Sequence, residues 1–596
     1  MYRKAGLLPP INQDSYPRRL IILDTEAYRG EKLDGVELQT YRLGVMRYLH
    51  LDDNLNVIKS EYYHTHNPDE LVSRVEWYTR KDKCIYLYAH NLIYDLQLSG
   101  LLTGLITRGW RVVQCVLDNP PVFARLKRGR MSIVMVDTFN YWQFSVERMG
   151  ADLGMPKLEM PSPDDDMEAW ITYCKRDVDV LSEYLLSFMR FLYKNDLAGL
   201  GLTLASQSFR SYRHRFMRPV IELHNNKIAT ELERRGYAGG RVECFRIGSC
   251  QLQPYYYLDV NSMYPYVMRD NLYPVKLAGM TDDLPVGKLS KLLTEYYLIA
   301  DCHVEVDQPI YALKNQHKLI FPVGSFETTL HSPEIEWGLR EGYIERINRI
   351  ACYEQEQIFT EFVNFFYCMK LGAEKSGNRV LRQQAKLIMN SLYGKFGQLN
   401  VISKFAPLDG DYKTGRLRGY SEELGRAVEV NYYGTQVELR WREGESTYSY
   451  PAIAGAVTAY ARMYLWRLML TAGLDHVYYV DTDSLIVDQE GYDSLQDYLD
   501  PLTLGKLKCE GVSDRLILRG AKDYEFGDTL KHKGIPRKAV SVGEDTWIYE
   551  QFRGSLTWLA QGMPTGVEVY ERYKRRLSPY DKGILTPAGI VLPLRF

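Results

Sequence analysis

The stretch VYYVDTDSLIV at residues 477–487 consists of two apolar segments separated by a short acidic turn. This pattern predicts a β-hairpin with a two-residue turn. Asp481 and Asp483 stand two positions apart, so strand geometry places both side chains on one face. Two like charges at the edge of a core are unfavourable unless a cation neutralises them. The hairpin therefore indicates a cation-binding site.

A further acid, Asp259, ends the apolar segment YYYLD at residues 255–259. Two separate strands that each deliver an aspartate to one place supply what a two-metal phosphoryl-transfer site requires. In the alternative interpretation, DTD is an ordinary polar turn and Asp259 is a helix cap. For either motif alone, short-pattern matching leaves these interpretations about equal.

Three segments of this region resemble the motifs of family B DNA polymerases. DVNSMYP at 259–265 resembles motif A, KLIMNSLYG at 386–394 resembles motif B, and YVDTDS at 479–484 resembles motif C. They occur in the family's order, which makes the resemblance specific. It implies an α/β multidomain chain with a right-hand polymerase domain of palm, fingers and thumb. The implied activity is template-directed addition of dNTPs to a 3′-hydroxyl by a two-metal mechanism.

The resemblance assigns roles in the polymerase site. Asp259, Asp481 and Asp483 are the implied catalytic residues, and the metal ligands are Asp259, Val260 and Asp481. On a helix, Lys386, Asn390 and Tyr393 share one face, with Arg382 one turn earlier. The implied nucleotide-binding residues are Arg382, Lys386 and Lys370 for the triphosphate, Asn390, Tyr393 and Val260 for the pocket, and Tyr264 as a steric gate against a ribose 2′-hydroxyl. Lys375 competes with Lys370 for its role, since the intervening loop is longer than the family pattern.

Two further segments resemble elements of the family that contact DNA. YAGGR at 237–241 resembles the element that joins exonuclease and polymerase, and AKDYEF at 521–526 resembles the K-x-Y element that holds the primer end. Two adjacent glycines permit close approach of the backbone to a phosphate. The implied DNA-binding residues are Tyr237, Gly239, Gly240, Arg241, Lys522 and Tyr524.

The first 195 residues carry a second group of acids. Asp24 and Glu26 end an apolar segment, Asp95 closes HNLIYD, and Asp177 follows Tyr173 by four positions on a predicted helix. Each acid alone is an ordinary cap or surface residue, but the four in this order resemble the motifs of family B proofreading exonucleases.

This second resemblance implies an RNase H-like 3′–5′ exonuclease domain. Asp24, Glu26, Asp95 and Asp177 are its implied metal ligands, and Tyr173 orients the attacking water. Lys157 is implied to stabilise the scissile phosphate, with a surface lysine as the alternative. The implied contacts to the frayed single strand are Asn91, Tyr94, Thr138 and Phe139. The Thr138-Phe139 pair departs from the family's usual Ser/Thr-Leu.

The compact arrangement resembles the protein-primed branch of small phages, adenoviruses and linear plasmids. Only 23 residues precede Asp24, and no C-terminal cysteine cluster follows. The resemblance implies a viral or plasmid-like genome as the template. We expect the 398–450 insertion to aid strand displacement and processivity. The expected divisions are 1–195 exonuclease, 196–270 linker and first palm segment, 271–352 insertion that contacts a terminal protein, 353–397 fingers, 398–450 insertion between motifs B and C, 451–530 second palm segment and 531–596 thumb.

Composition restricts the class of protein. The chain has 596 residues, with 74 Lys and Arg against 75 Asp and Glu, which excludes a uniformly basic nucleic-acid coat. Residues 531–596 nevertheless carry 11 Lys and Arg against 6 Asp and Glu, dense at 531–538 and 572–576, as expected of a thumb that grips duplex phosphates. Nine scattered cysteines without a C-x-x-C pair favour a reducing compartment. No apolar run is long enough for a membrane span, so we expect a cytoplasmic location, in the host if the chain is viral.

The expected cofactors are two Mg²⁺ or Mn²⁺ ions in each active site, with dNTPs as substrates. The expected partners are primer-template DNA, single-stranded DNA and a terminal priming protein, with no membrane and the chain as a monomer. Two alternatives stay open: the same polymerase using a nucleic-acid primer or none, and a catalytically inactive DNA-binding scaffold.

Overall fold

The computed structural model describes residues 5–12, 15–118, 120–218, 220–316, 318–410, 413–536, 538–543, 545–575 and 580–596. Within these ranges, no helix combines the length and the apolar character needed to cross a membrane. Arg537 and Arg576, which belong to the predicted basic segments, lie outside the described residues.

A large N-terminal sheet forms because apolar side chains such as Ile21, Leu23 and Leu87 are fully buried between its strands and the helices packed on them. The predicted strands at 19–28, 84–89 and 132–137 are confirmed, the first extending to Leu33. In spatial order the strands are Val540–Gly543, Thr546–Phe552, Val567–Arg575, Val36–Leu51, Arg19–Leu33, Cys84–Ala89, Met131–Asp137, Val122–Arg128 and Arg111–Leu117, with Val57–Thr65 also paired to Val36–Leu51.

The helix predicted at 167–195 is confirmed as Met167–Lys194. It begins where the Asp166 side chain accepts a hydrogen bond from the backbone N–H of Ala169, and it packs on the two longest strands of the N-terminal sheet. The other helices of this region are Pro68–Tyr78, Leu92–Ser99, Leu101–Thr107 and Val146–Leu153.

The first three strands of the N-terminal sheet come from the C-terminal part of the chain, which the sequence did not predict. Val567–Arg575 pairs antiparallel with Val36–Leu51, and Val36 lies opposite Tyr570. The predicted thumb therefore shares hydrogen-bonded backbone with the predicted exonuclease domain.

A second, antiparallel sheet, here called the central sheet, carries the predicted hairpin as strands Val477–Asp481 and Ser484–Val487. The register places Asp259 opposite Ser484, beside the hairpin turn. One side of the sheet is buried against helix Pro451–Ala472. This helix confirms the one predicted at 452–472. The strand order is Val242–Cys244, Val477–Asp481, Ser484–Val487, Tyr255–Val260 and Leu507–Ser513.

Two helices, Thr360–Lys375 and Arg379–Asn390, form an antiparallel pair in the predicted fingers. The second helix ends at Asn390 rather than at the predicted residue 396. A 3₁₀ turn at Tyr393–Lys395 follows, because glycines there lower helix propensity and the Phe396 carbonyl is bonded to the Tyr450 N–H at 2.7 Å.

The two predicted insertions each form an antiparallel sheet. The segment 271–352 contains Tyr273–Asp282, Ile344–Glu356, Tyr297–Val306 and Gly324–His331 in spatial order, and the segment 398–450 contains Leu399–Pro407, Gln436–Glu445, Arg426–Gly434 and Lys413–Ser421, here called the insertion sheet.

The remaining elements connect these layers. The helices are Leu204–Ser211, Lys227–Gly236, Met263–Asp270, Leu289–Glu295, Ser332–Glu341, Gln489–Ser494 and Ser555–Ala560. The short strands are Gly6–Leu7, Glu222–Leu223, Gly248–Ser249, Leu313–Asn315, Lys318–Ile320, Leu516–Gly520, Asp523–Phe526, Thr529–Lys531, Gly583–Leu585 and Val591–Pro593.

Candidate active sites

The hairpin turn of the central sheet brings two of the predicted carboxylates together. The Val260 N–H donates to the Asp483 carbonyl at 2.7 Å, and this bond joins the strand of Asp259 to the turn. Thr482, the first turn residue, has φ +64°, a strained value for a β-branched residue. Its N–H donates to the Arg241 carbonyl at 2.7 Å, so a neighbouring loop holds the turn in place.

Burial and neighbouring carboxylates destabilise the ionised forms of Asp259 and Asp483. Burial and then the charge of Asp483 raise the pKa of Asp259 to about 7. Burial and then the charge of Asp481 raise the pKa of Asp483. The positive charge of Lys386 lowers both pKa values, but it offsets only part of their rise. Two half-buried carboxylates with raised pKa values are a donor set that a hard divalent cation would stabilise.

Asp481, in contrast, already has a cationic partner. Lys522 Nζ donates to its two carboxylate oxygens at 2.9 and 3.1 Å, and the Tyr479 hydroxyl donates to Oδ2 at 3.3 Å. The Lys522 N–H also donates to the Tyr479 hydroxyl at 3.0 Å. The predicted primer-binding lysine therefore lies against a predicted catalytic carboxylate.

Three of the predicted triphosphate-binding cations lie near one another on the two finger helices. Lys370 is buried, and its Nζ donates to Asn261 Oδ1 at 3.1 Å. Burial lowers its pKa, and the positive charges of Lys386 and Arg382 lower it further. Such mutual repulsion favours an anion between them. Lys375, the competing residue, lies exposed at the last residue of its helix.

The rings of Tyr264 and Tyr393 stack at 4.6 Å between centroids, which places the predicted gate against the predicted nucleotide pocket. Gly240 lies beside them, because a Cβ there would come within 2.8 Å of Thr482 Cγ2 and 3.2 Å of the Tyr264 hydroxyl. Asn390 is half-buried at the end of its helix. Gly240 is thus required by packing on the hairpin turn.

A buried ion pair that the sequence analysis missed supports the YAGGR loop. Arg462 Nη1 donates to the carbonyls of Ala238 and Gly239, both at 3.0 Å, and Nη2 lies 2.8 Å from Glu334 Oε1. The Arg462 and Glu334 side chains are 3% and 2% exposed. Arg462 is one of two arginines in a largely apolar helical segment, and this position was the available signal. Tyr237 in this loop packs its ring against Gly397.

Burial corrects two of the predicted DNA contacts. Arg241 is 1% exposed, its Nε donates to Glu243 Oε2 at 2.6 Å, and its guanidinium lies 4.2 Å from the Phe321 ring centroid. Tyr524 is fully buried, with its ring 5.1 Å from that of Tyr479. Both side chains are consumed by internal packing and do not reach a DNA surface. Gly239, by contrast, is exposed.

The N-terminal site brings together the four predicted acids. Burial and then the charge of Asp177 raise the pKa of Asp24 to about 7. Burial and then the charge of Asp24 raise the pKa of Glu26 to about 8. Burial also raises the pKa values of Asp95 and Asp177. The Thr25 hydroxyl donates to Asp95 Oδ1 at 2.6 Å and connects that helix to the strand.

Lys157 and Tyr173 complete this site. Lys157 Nζ donates to Asp177 Oδ2 at 2.5 Å and lies 4.9 Å from the Tyr173 ring centroid. A residue that the sequence analysis missed is Cys174, which donates to Asp24 Oδ2 at 3.2 Å. Cys174 lies between Tyr173 and Asp177, inside the segment that resembles the exonuclease motif. This position was the only feature of the sequence that pointed to it. The carboxylates fit divalent cations.

A cleft of about 290 Å³ adjoins this site and contains three of the four predicted single-strand contacts, Asn91, Tyr94 and Phe139. Its other wall is the C-terminal segment that includes Phe552, whose ring lies 5.3 Å from that of Tyr94 in an edge-to-face arrangement. Phe552 is another residue that the sequence analysis missed.

The prediction for Thr138 is corrected. Its side chain is fully buried, and its hydroxyl donates to the Ala89 carbonyl at 3.0 Å and lies 2.8 Å from His90 Nδ1. Phe139 beside it stacks on His90 at 4.3 Å between ring centroids. Thr138 therefore positions the loop from inside and does not contact a strand in the cleft.

The chain is similar in sequence to DNA polymerases of viruses and organelles. Residues 121–412 match the family described as DNA polymerase type B, organellar and viral. A probable DNA polymerase of Podospora anserina is 26% identical over 424 residues, which are 64% of this chain and 34% of that protein. This chain thus spans about a third of that relative's length. The DNA polymerase of Streptococcus phage Cp-1 is 23% identical over 463 residues, 73% of this chain and 75% of that protein.

The fold is similar to that of a solved polymerase. Phi29 DNA polymerase, complexed with primer-template DNA and incoming nucleotide, superposes with a TM-score of 0.69 at 18% identity, covering 94% of this chain and 100% of that chain. This likeness confirms the predicted α/β multidomain fold with an exonuclease domain and a right-hand polymerase domain. Residues 121–412 are thus similar in sequence to type B DNA polymerases of the organellar and viral kind, and the fold is similar to that of phi29 DNA polymerase.

Proposed function

We propose that the chain is a DNA-directed DNA polymerase with a separate 3′–5′ proofreading exonuclease. The observation that carries this proposal is the pairing of Asp259 and Asp483 at one sheet edge, opposite the cations of the finger helices. The N-terminal carboxylates supply a second site of the same donor type on a different sheet. The phage relatives support a viral or plasmid-like genome as the template.

In the proposed polymerase site, Asp259 and Asp483 hold the divalent cations, with Mg²⁺ or Mn²⁺ as the expected ions. When bound, such ions activate the 3′-hydroxyl and neutralise charge on the transferred phosphate. Lys370, Lys386 and Arg382 bind the triphosphate. Tyr264, fixed by its stack on Tyr393, excludes a ribose 2′-hydroxyl.

Besides its ion pair with Asp481, Lys522 has a proposed role at the primer terminus. Its Nζ is exposed on one side and bound to Asp481 on the other. The ion pair therefore holds the lysine at the edge of the catalytic turn, where it binds the phosphate of the terminal primer nucleotide.

In the proposed exonuclease site, Asp24, Glu26, Asp95 and Asp177 hold the cations that activate water. The Tyr173 hydroxyl orients the attacking water. Lys157 has both Asp177 and the scissile phosphate as partners, which keeps the ammonium charged. The adjoining cleft binds the unpaired 3′ end between Tyr94, Phe139 and Phe552.

We also propose protein priming and strand displacement, supported by the two insertions. The insertion sheet bonds to the N-terminal sheet through Gln436 Oε1, which accepts from the Val112 N–H at 2.8 Å. It bonds to the predicted thumb through the Thr414 hydroxyl, which donates to the Gly562 carbonyl at 2.7 Å. Contacts on both sides fit a structure that retains the template and separates it from the displaced strand.

Separation of the two activities tests the enzymatic proposal. Asp259→Asn is expected to abolish primer extension with Mg²⁺ and to retain degradation of a single-stranded oligonucleotide. The Asp24→Ala, Glu26→Ala double variant is expected to show the reverse. If each variant lost both activities while folded by circular dichroism, the assignment of two independent sites would be wrong.

The priming proposal needs a different assay. The enzyme is incubated with template and labelled dNTP, with and without a candidate terminal protein. Label attached to that protein supports protein priming, whereas extension only from an oligonucleotide primer supports the nucleic-acid alternative. Deleting residues 405–445 is expected to reduce displacement synthesis on a nicked circle more than extension on single-stranded template, and equal effects would refute the role of the insertion.

A further inference from the structure

The N-terminal carboxylate site contains a sulfur atom. Cys174 Sγ lies 3.2 Å from Asp24 Oδ2 and 3.5 Å from the Asp24 carbonyl oxygen. Ligand atoms of Asp24, Glu26 and Cys174 all lie within 4.8 Å of one another. Around one tetrahedral zinc ion, Zn–O distances of about 2.0–2.2 Å and a Zn–S distance of about 2.3 Å place the ligand atoms about 3.3–3.7 Å apart. Small side-chain rotations are enough to bring the ligand atoms from their present spacing to the spacing around a zinc ion.

A second, independent feature beside these three residues is a buried carboxylate oxygen of Asp177. Asp177 is 5% exposed, and Lys157 occupies its Oδ2. Its buried Oδ1 has no hydrogen-bond partner among the residues that the structure describes. A buried carboxylate oxygen without a partner is unfavourable unless a ligand contacts it. Asp177 lies close enough to Asp24 for its charge to act on that carboxyl.

We propose that Cys174, Asp24 and Glu26 form a mixed sulfur and oxygen site, beside the unpartnered oxygen of Asp177, that binds one thiophilic divalent cation, Zn²⁺ or its probe Cd²⁺. Hard carboxylates alone suit Mg²⁺, whereas a thiolate shifts preference to softer ions. On binding, the Cys174 S–H bond breaks, the proton passes to water, and a metal–sulfur bond forms. In the described part of the chain, no other three His, Cys, Asp or Glu side chains meet this spacing.

The consequence rests on the proposed exonuclease function. An ion bound by the thiolate engages Asp24 and Glu26 in a geometry that excludes the pair of hard ions used for hydrolysis. Micromolar Zn²⁺ is therefore expected to suppress degradation in the presence of excess Mg²⁺, while primer extension at the all-oxygen pair of Asp259 and Asp483 continues. Proofreading would respond to a metal that synthesis tolerates.

The direct test is titration of the full chain with Cd²⁺, followed by the thiolate-to-cadmium charge-transfer absorption in the ultraviolet. The wild-type chain is expected to gain a band that saturates at one ion and disappears with EDTA. Cys174→Ser should remove the band, since serine keeps a hydroxyl but not the sulfur. Cys368→Ser, on the exposed face of a finger helix, is the matched control and should leave the band unchanged. A wild-type chain without a band, or a band that survives in Cys174→Ser, would overturn the proposal.

A second variant covers the case in which Cys174→Ser fails to fold. Glu26→Gln keeps the thiol and removes one oxygen charge, so the band should persist with more than about tenfold weaker Cd²⁺ affinity. Unchanged affinity would overturn the shared site. Degradation assays with Mg²⁺ separate the two proposals: a saturable band without nuclease activity supports this inference and contradicts the exonuclease, and nuclease activity without the band does the opposite.

Discussion

Asp481 and Asp483 are chemically identical and two positions apart, yet their surroundings differ. Lys522 neutralises Asp481 through two bonds, whereas burial and then the charge of Asp481 raise the pKa of Asp483. The unpaired members of such a constellation are the ones that a cation must stabilise. For the polymerase site, whose predicted metal ligands are Asp259, Val260 and Asp481, we therefore propose that Asp483 acts with Asp259 and that Asp481 positions Lys522.

This difference predicts unequal effects of two matched substitutions. Asp483→Asn should reduce the rate of single-nucleotide insertion by about 10³-fold or more, because loss of metal charge stabilisation costs several kcal/mol. Asp481→Asn should reduce the same insertion rate by a factor at least about tenfold smaller. It removes the counter-charge of Lys522 but leaves the proposed metal-binding carboxylates Asp259 and Asp483 in place. Rapid-quench kinetics with saturating Mg²⁺ measure both. Equal losses would contradict the proposed division of roles.

The pair formed by Arg462 and Glu334 predicts an effect on stability. Arg462→Ala leaves Glu334 buried without its counter-charge and frees two loop carbonyls, which should lower the free energy of unfolding by about 3–5 kcal/mol. Arg467→Ala, an exposed position of the same helix, should change it by no more than about 0.5 kcal/mol. The urea midpoint and slope of unfolding measure both variants. A small effect of Arg462→Ala would show that water replaces the lost partner.

At the scale of elements, local sequence patterns predicted most of the secondary structure around both sites. The hairpin 477–487 and helix Met167–Lys194 follow from hydrophobic periodicity, which is a local property. Packing between residues distant in the chain could not be read from the sequence. Arg241 is buried against Glu243 and Phe321. Thr138 is buried where Ala89 and His90 bind its hydroxyl. Motifs thus located the sites, but not which side chains face DNA.

The cleft shared by the N-terminal sheet and the C-terminal strands predicts a role for Phe552. Phe552→Ala should raise the KM for single-stranded DNA degradation by about tenfold, because stacking of one base is worth about 1–3 kcal/mol. Tyr573→Ala, an exposed aromatic on the adjacent strand and outside the cleft, is the control. Single-turnover degradation of a labelled oligonucleotide measures both. If kcat fell with KM unchanged, Phe552 would act on the catalytic step and not on strand binding.

For the whole molecule, the raised carboxyl pKa values predict a pH-dependent stability. Asp24 and Asp259 have pKa values of about 7 and Glu26 about 8, against ordinary values near 4. The folded chain therefore binds more protons than the unfolded chain, so these groups lower stability as pH rises through this range. Metal binding to the ionised carboxylates should restore it.

The expected result is a Mg²⁺-induced rise in Tm that is small near about pH 5 and increases to about pH 8, as Asp24, Glu26 and Asp259 lose their protons. Differential scanning fluorimetry with Mg²⁺ or EDTA measures it, with matched ionic strength. The Asp24→Asn, Asp259→Asn double variant should flatten the dependence on pH. A Mg²⁺ effect that is independent of pH would place the bound ions elsewhere.

The pairing of Val567–Arg575 with Val36–Leu51 has a consequence for attempts to divide the chain. A fragment that ends near residue 195 would retain the carboxylates of the proposed exonuclease site but lose the strand that covers Val36–Gln39. The uncovered backbone N–H and C=O groups would then form an open edge that recruits a second copy by strand addition. The isolated fragment 1–195 is therefore expected to self-associate. Co-expression with a segment containing residues 546–575 should cover the open edge and prevent this self-association.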